Sequence, residues 1–118
     1  MSFDFKNDIP IYMQIIEHIK LQIISKKYIP NQKIPSVREL SLIFEVNPNT
    51  IVKALQELEN FGLIYTDRTN GKFVTGDENL IKKLTDESID KMVSEFFSSM
   101  EKIGLSKSDV LDILSKKS

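Results

Sequence analysis

The sequence predicts a mainly α chain with a small β component (α+β). Three observations carry that expectation. Two helix-start signals follow one another closely near the middle, at Ser36 and Asn47. An Asn70-Gly71 pair separates two short β-prone runs. A long stripe of apolar residues at helical spacing fills the last third.

The first region, residues 9–28, places Ile11, Ile15, Ile16, Ile19, Ile23 and Ile24 at helical spacing, with Pro10 suited to a first turn. Pro30 and Asn31 interrupt it. Ser36 and Glu39 then form a capping-box pattern: the serine accepts from the Glu39 backbone N–H while the glutamate reaches back to Ser36. Such reciprocal bonds satisfy donors that a helix start leaves orphaned. Asn47 is a good N-cap, and Pro48 in the first helical position gives up only an N–H that had no partner there. Two short helices joined this tightly describe a helix-turn-helix, whose second helix is usually offered to the DNA major groove.

Downstream, Gly62 fits the left-handed position that ends a helix. Ile64-Tyr65-Thr66 and Phe73-Val74-Thr75 read as strands, with Asn70-Gly71 as the hairpin signal between them. A hairpin directly behind such a helix is a wing. Residues 79–103 read as one long amphipathic helix stopped by Gly104, and Ser106 to Asp109 starts a shorter one. The predicted architecture is a winged helix-turn-helix over residues 1–76 and a C-terminal two-helix dimerisation tail over 77–118.

Composition narrows the function classes. At 118 residues the chain supports one domain with a short appendage. Apolar content of 41% and charged content of 28% are those of a globular protein. With 0 cysteines, disulfides, thiolate metal sites and a cysteine nucleophile are excluded. The N-terminus lacks a signal-peptide pattern and no apolar run reaches membrane-spanning length, so a cytoplasmic protein without a membrane partner is expected. His18, the one histidine, has no clustered carboxylates beside it and reads as a helix-surface residue, so no metal site and no cofactor are expected. An enzyme is disfavoured, since neither a Ser/His/Asp set nor a glycine-rich phosphate loop is present.

Charge shapes the expectation of a partner. Net charge is −1, and residues 31–75 carry five Lys/Arg against five Asp/Glu. Phosphate neutralisation supplies most non-specific DNA affinity, so a neutral reading unit binds weakly alone and strongly only when doubled. The charge balance therefore favours a homodimer if DNA is the partner. It equally favours a winged-helix protein-interaction module that never touches DNA.

A helical wheel of the second helix gathers Ile51, Ala54, Leu55, Leu58 and Phe61 on one side, expected to pack on the first helix of the pair. Asn49, Lys53, Gln56 and Asn60 lie opposite, flanked by Thr50 and Val52. The candidate DNA-binding set is Ser36, Arg38, Asn47, Asn49, Thr50, Lys53, Arg68, Gly71 and Lys72. Asparagine suits adenine, threonine suits a base, phosphate or thymine methyl, and Lys53 suits a phosphate or guanine. A merely solvated helix face shows the same polarity, and charged hairpin tips often serve solubility alone. In the tail, Leu84, Ile89, Met92, Val93, Phe96, Phe97, Met100, Ile103, Leu111 and Leu114 are the candidate dimerisation residues. Their stripe is wider than packing under a small winged helix requires; a dimer interface accounts for it, and an intramolecular hairpin with the 106–116 helix is the alternative.

Laid end to end, Pro10-Ile11-Tyr12, Ile34-Pro35-Ser36-Val37-Arg38-Glu39-Leu40, Val46-Asn47-Pro48-Asn49-Thr50-Ile51, Leu58-Glu59-Asn60-Phe61-Gly62-Leu63-Ile64 and Gly71-Lys72-Phe73-Val74 resemble the GntR family of bacterial transcription regulators. The Asn-Pro-Asn-Thr segment and short helical tail are similar to its YtrA subfamily. The resemblance spans residues 9 to 76 and implies a dimeric winged-helix repressor on an inverted-repeat operator of double-stranded DNA, controlling its own operon and neighbouring transporter genes. It implies DNA contacts for Arg38, Asn47, Asn49, Thr50 and the wing glycine Gly71. It also admits a small-molecule effector that no motif here encodes. Pro48 and Val52 stand where many family members carry arginines, which implies fewer guanine contacts, and the usual Gly-x-Gly wing reads Asn70-Gly71-Lys72.

Overall fold

The computed structural model describes residues 4–117. Its elements are α1 (Ile11–Ile24), α2 (Val37–Phe44), α3 (Pro48–Asn60), β1 (Ile64–Asp67), β2 (Gly71–Val74), α4 (Glu78–Lys102) and α5 (Lys107–Lys117). The chain divides into two compact units, Met1–Lys82 and Lys83–Ser118.

In the first unit, α1 starts directly after Pro10, whose carbonyl accepts from the Met13 and Gln14 N–H groups. The Gln14 side chain ties down the preceding segment, accepting from the Lys6 N–H at 2.8 Å and donating to the carbonyls of Lys6 and Ile9. Ile15, Ile16, Ile19 and Ile23 face the core, while Ile11 is 41% exposed.

The capping box of α2 is present in both directions: Glu39 N–H donates to Ser36 Oγ at 3.1 Å, and Ser36 N–H to Glu39 Oε1 at 2.9 Å. The helix ends at Glu45, held in the left-handed region at φ 57°. A side chain pays roughly 1–2 kcal/mol there, so the surroundings must hold it. Ser41 does so, donating its hydroxyl to the Val46 carbonyl at 2.6 Å and accepting the Val46 N–H on its own carbonyl at 3.1 Å. That clamp sets the turn between the two helices. Asn47 caps α3 by accepting from the Asn49 N–H at 2.8 Å, with Pro48 at the helix start.

Ile51, Ala54, Leu55 and Leu58 are buried where α3 packs on both α1 and α2. Phe61, expected with them, is 55% exposed. It is the C-cap residue, beyond Leu58, the last buried residue of α3. Gly62, at φ 79°, then reverses the chain, and the Leu63 N–H returns to the Leu58 carbonyl at 3.0 Å.

The antiparallel pair β1–β2 runs in register from Ile64↔Val74 to Asp67↔Gly71. Its strands are shifted from the expected ones, so Gly71 belongs to β2 and the loop is Arg68-Thr69-Asn70. Three-residue loops of this kind close with a residue of positive φ, and Gly71 is at 107°. The Asp67 carboxylate organises the tip, accepting from the Thr69 N–H and hydroxyl and from the Asn70 amide. On its other edge β2 meets residues 31–34: Ile34 N–H donates to the Lys72 carbonyl at 2.9 Å and Val74 N–H to that of Gln32 at 2.9 Å. Too short to show alternation and preceded by Pro30, this stretch carries no strand signal. α4 is capped by Asp77, which accepts from the Asn79 and Leu80 N–H groups, both at 3.1 Å.

The second unit contains the remainder of α4 and α5. Gly104, at φ 88°, ends α4, and the Leu105 N–H closes back on the Met100 carbonyl at 3.1 Å. A second capping box opens α5, with Asp109 N–H donating to Ser106 Oγ at 3.1 Å and Ser106 N–H to Asp109 Oδ2 at 2.9 Å. Among its described residues Val110 is the one buried hydrophobic side chain. Ile89, Met92, Val93, Phe96, Ile103, Leu111, Ile113 and Leu114 are each at least 38% exposed.

Candidate nucleic-acid interface

The exposed face of α3 is built by helical periodicity. With its apolar side turned to α1 and α2, the residues opposite must face outward, and Asn49, Lys53, Gln56 and Asn60 are all exposed. Val52 is 48% exposed beside them and Thr50 is half-buried. The first turn also presents backbone N–H groups and the positive end of the helix dipole, which favour a phosphate.

Capping divides the predicted residues by the atoms they keep free. Ser36 and Asn47 are exposed, but the Ser36 hydroxyl oxygen and Asn47 Oδ1 already accept from backbone N–H groups. The donor half of the Asn47 amide remains for an outside acceptor. Arg38 is exposed in the first turn of α2, and Arg68 is exposed at the hairpin tip. Gly71 is exposed, and a Cβ there would meet Lys33 Cε at 3.2 Å in a backbone conformation that disfavours side chains.

Two lysines are engaged within the first unit. Lys53 Nζ lies 4.0 Å from the centroid of the Tyr12 ring, a cation–π contact between α3 and α1. Lys72 Nζ lies 3.6 Å from Glu59 Oε2 and donates to Thr66 Oγ1 at 2.7 Å. Thr66 in turn donates its hydroxyl to Glu59 Oε1. The Thr66 hydroxyl, and then Lys72, hold the Glu59 carboxyl below the usual carboxylate range. This cluster fastens the wing to the C-terminal end of α3. Tyr12, Glu59 and Thr66 were outside the candidate set. Tyr12 stands in the Pro10-Ile11-Tyr12 segment and Glu59 in the Leu58-Glu59-Asn60-Phe61 segment of the family resemblance, whereas nothing local marks Thr66.

His18 departs from the surface position expected of it. It is half-buried with its ring edge-on to Phe44, centroids 5.2 Å apart. Burial, with Lys27 adding to it, lowers its pKa from the ordinary 6.5. Among the described residues, no group of three or more His, Cys, Asp or Glu is placed to hold a metal ion, and no helix is long and apolar enough to cross a membrane.

In the second unit, the candidate dimerisation residues Ile89, Met92, Val93, Phe96, Ile103, Leu111 and Leu114 are exposed, while Leu84, Phe97 and Met100 are half-buried. Phe96 and Phe97 meet edge to face, centroids 5.6 Å apart, and Lys107 Nζ lies 5.8 Å from the Phe97 ring.

Residues 11–74 match the model of the gntR family of bacterial regulatory proteins. The chain is 33% identical over 112 residues to the uncharacterized HTH-type transcriptional regulator YhcF of Bacillus subtilis (strain 168), covering 95% of this chain and 93% of that protein. To the HTH-type transcriptional repressor YtrA of the same organism it is 41% identical over 75 residues, covering 64% of this chain and 58% of YtrA. Among solved structures, a GntR family transcriptional regulator from Listeria monocytogenes superposes with a TM-score of 0.85 at 38% identity, covering 95% of this chain and 98% of that one. The AraR DNA-binding domain in complex with operator ORX1 superposes with a TM-score of 0.59 at 34% identity, covering 64% of this chain and 95% of that one. With its helix-turn-helix and wing in place, the chain belongs to the gntR family of bacterial regulatory proteins and is a DNA-binding transcription regulator, not an enzyme.

Proposed function

We propose that the protein acts in the cytoplasm as a homodimeric repressor of its own operon, on an inverted-repeat operator. The observation that carries the DNA side is the outward face of α3, where Asn49, Val52, Lys53 and Gln56 stand free of the core. In this reading Arg38 and the start of α3 meet the major groove, while Arg68 and Gly71 bring the wing to the backbone. The AraR domain bound to its operator supports that placement, and the YtrA repressor supports the sense of control.

The dimer rests on the second unit. Over residues 83–117, eight exposed large apolar residues and one buried one do not form a core by themselves. A second copy of the same surface satisfies both helices by symmetry. Residues 1–76 would then be the reading head and 77–118 the dimerisation tail. Two heads related by a two-fold axis place their α3 helices in successive major grooves, about one helical turn apart. A small effector acting on the tail would alter that separation.

The test is a gel-shift titration on duplexes selected from a random pool. Arg38→Ala is expected to weaken binding, and Asn49→Ala to relax base preference at one position per half-site. Val93→Glu, placing a charge in the exposed stripe, is expected to give a folded monomer by sedimentation and to weaken binding further. Parent-like binding by Arg38→Ala and Asn49→Ala would remove the site assignment, and a monomeric parent would remove the dimer.

A further inference from the structure

Within the exposed surface of α3, Val52 is the one large apolar side chain, at 48% exposure. Surface valines are ordinary elsewhere, but this one sits among the groups that would face base edges. Asn49 and Val52 are three residues apart and therefore neighbours on one helix face. Three residues of rise amount to about 4.5 Å along the axis, close to the spacing of adjacent base pairs, about 3.4 Å.

The remaining chemistry of that face narrows what it can read. The single cation of α3 is Lys53, whose ammonium lies over the Tyr12 ring, and Glu57 and Glu59 are its charged companions towards the other end. No guanidinium stands on α3 to take the paired acceptors of guanine. What stands there is amide, hydroxyl and methyl. In the major groove an amide pairs with adenine N6 and N7, while an apolar side chain finds its complement in the C5-methyl of thymine.

Resting on the DNA-binding reading above, we infer that Val52 is a specificity residue that packs on a thymine methyl. It acts next to an adenine held by Asn49, so that the core of each half-site is two neighbouring A·T pairs. The Val52 methyls desolvate against the thymine methyl, while a cytosine at that position offers an N4 donor with no acceptor opposite. Discrimination at this step is therefore a matter of apolar area and of an unpaired polar group.

The experiment removes one methyl at a time. A duplex recovered from a random pool with the parent protein is resynthesised with deoxyuridine replacing each half-site thymidine in turn, which keeps every Watson–Crick bond. One position per half-site is expected to lower parent affinity about fourfold, the worth of one buried methyl group. Val52→Ala, a substitution at an exposed helical position that favours folding, is expected to bind the thymidine and deoxyuridine duplexes alike. Equal parent affinity for every deoxyuridine duplex, or the same sensitivity in Val52→Ala, would overturn the Val52 assignment and leave DNA binding standing. Failure to recover any duplex at low salt would instead remove the DNA reading, and this inference with it.

Discussion

Lys72 of the wing and Glu59 of α3 form an ion pair at 3.6 Å, with the Thr66 hydroxyl bonded to both. A positive charge on the hairpin is thereby directed towards its own protein. The pair is partly exposed, with the two side chains retaining 27% and 38% of their accessible surface, so its contribution to stability is small. Its larger effect is on where the lysine points.

Glu59→Gln should therefore release Lys72 at little cost in stability, within about 1 kcal/mol. A lysine freed beside the backbone adds about one phosphate contact per subunit. The slope of log affinity against log salt on a non-specific duplex should steepen by about 0.9 per subunit. An unchanged slope would mean that Lys72 stays out of contact even when free.

The capping box of α2 predicts an asymmetry among substitutions at Ser36. Ser36→Ala should cost about 1 kcal/mol in chemical denaturation, whereas Ser36→Asp, which keeps an acceptor for the Glu39 N–H, should stay near the parent. Equal losses in both would show that the hydroxyl matters for something other than the cap.

Acid should destabilise the protein in two steps. The His18 pKa is lowered in the fold by burial, so the unfolded chain takes up its proton first as pH falls. Its stabilising contribution is complete above the ordinary 6.5 and is lost as pH drops below it. Glu39, Glu59, Asp67 and Asp109 are also held below their ordinary values, by hydrogen bonds from Ser36, Thr66, Thr69 and Ser106, and lose their contributions only at lower pH. Denaturation midpoints measured from pH 7.5 to 5 should fall in the parent and stay flat in His18→Gln.

The core of the first unit gives a contrast within the helix-turn-helix. Leu58 is fully buried and Leu42 is 72% exposed. Leu58→Ala should lose roughly 2–5 kcal/mol. Leu42→Ala should remain within about 0.5 kcal/mol of the parent. Comparable losses by urea denaturation would show that Leu42 is covered in solution.

Much of this protein is written in short-range chemistry. Ser36 with Glu39, Asn47 with Pro48, and the reversals at Gly62 and Gly104 involve partners within a few residues, so their helix boundaries are visible in the chain alone. The outward placement of Asn49, Lys53 and Gln56 follows from helical periodicity once Ile51, Ala54, Leu55 and Leu58 choose the core. Tertiary structure decided what depends on distant partners. Residues 31–34 bridge to β2 only because the fold lays the two side by side, His18 turned inward against the Phe44 ring, and Phe61 stayed outside because burial in α3 ends at Leu58. The same holds for the atoms left to a ligand: Tyr12 took Lys53 and Glu59 took Lys72, from elements remote in sequence. A periodic pattern says which side of a helix is wet, but which charges on that side are already spoken for depends on neighbours that only folding brings within reach.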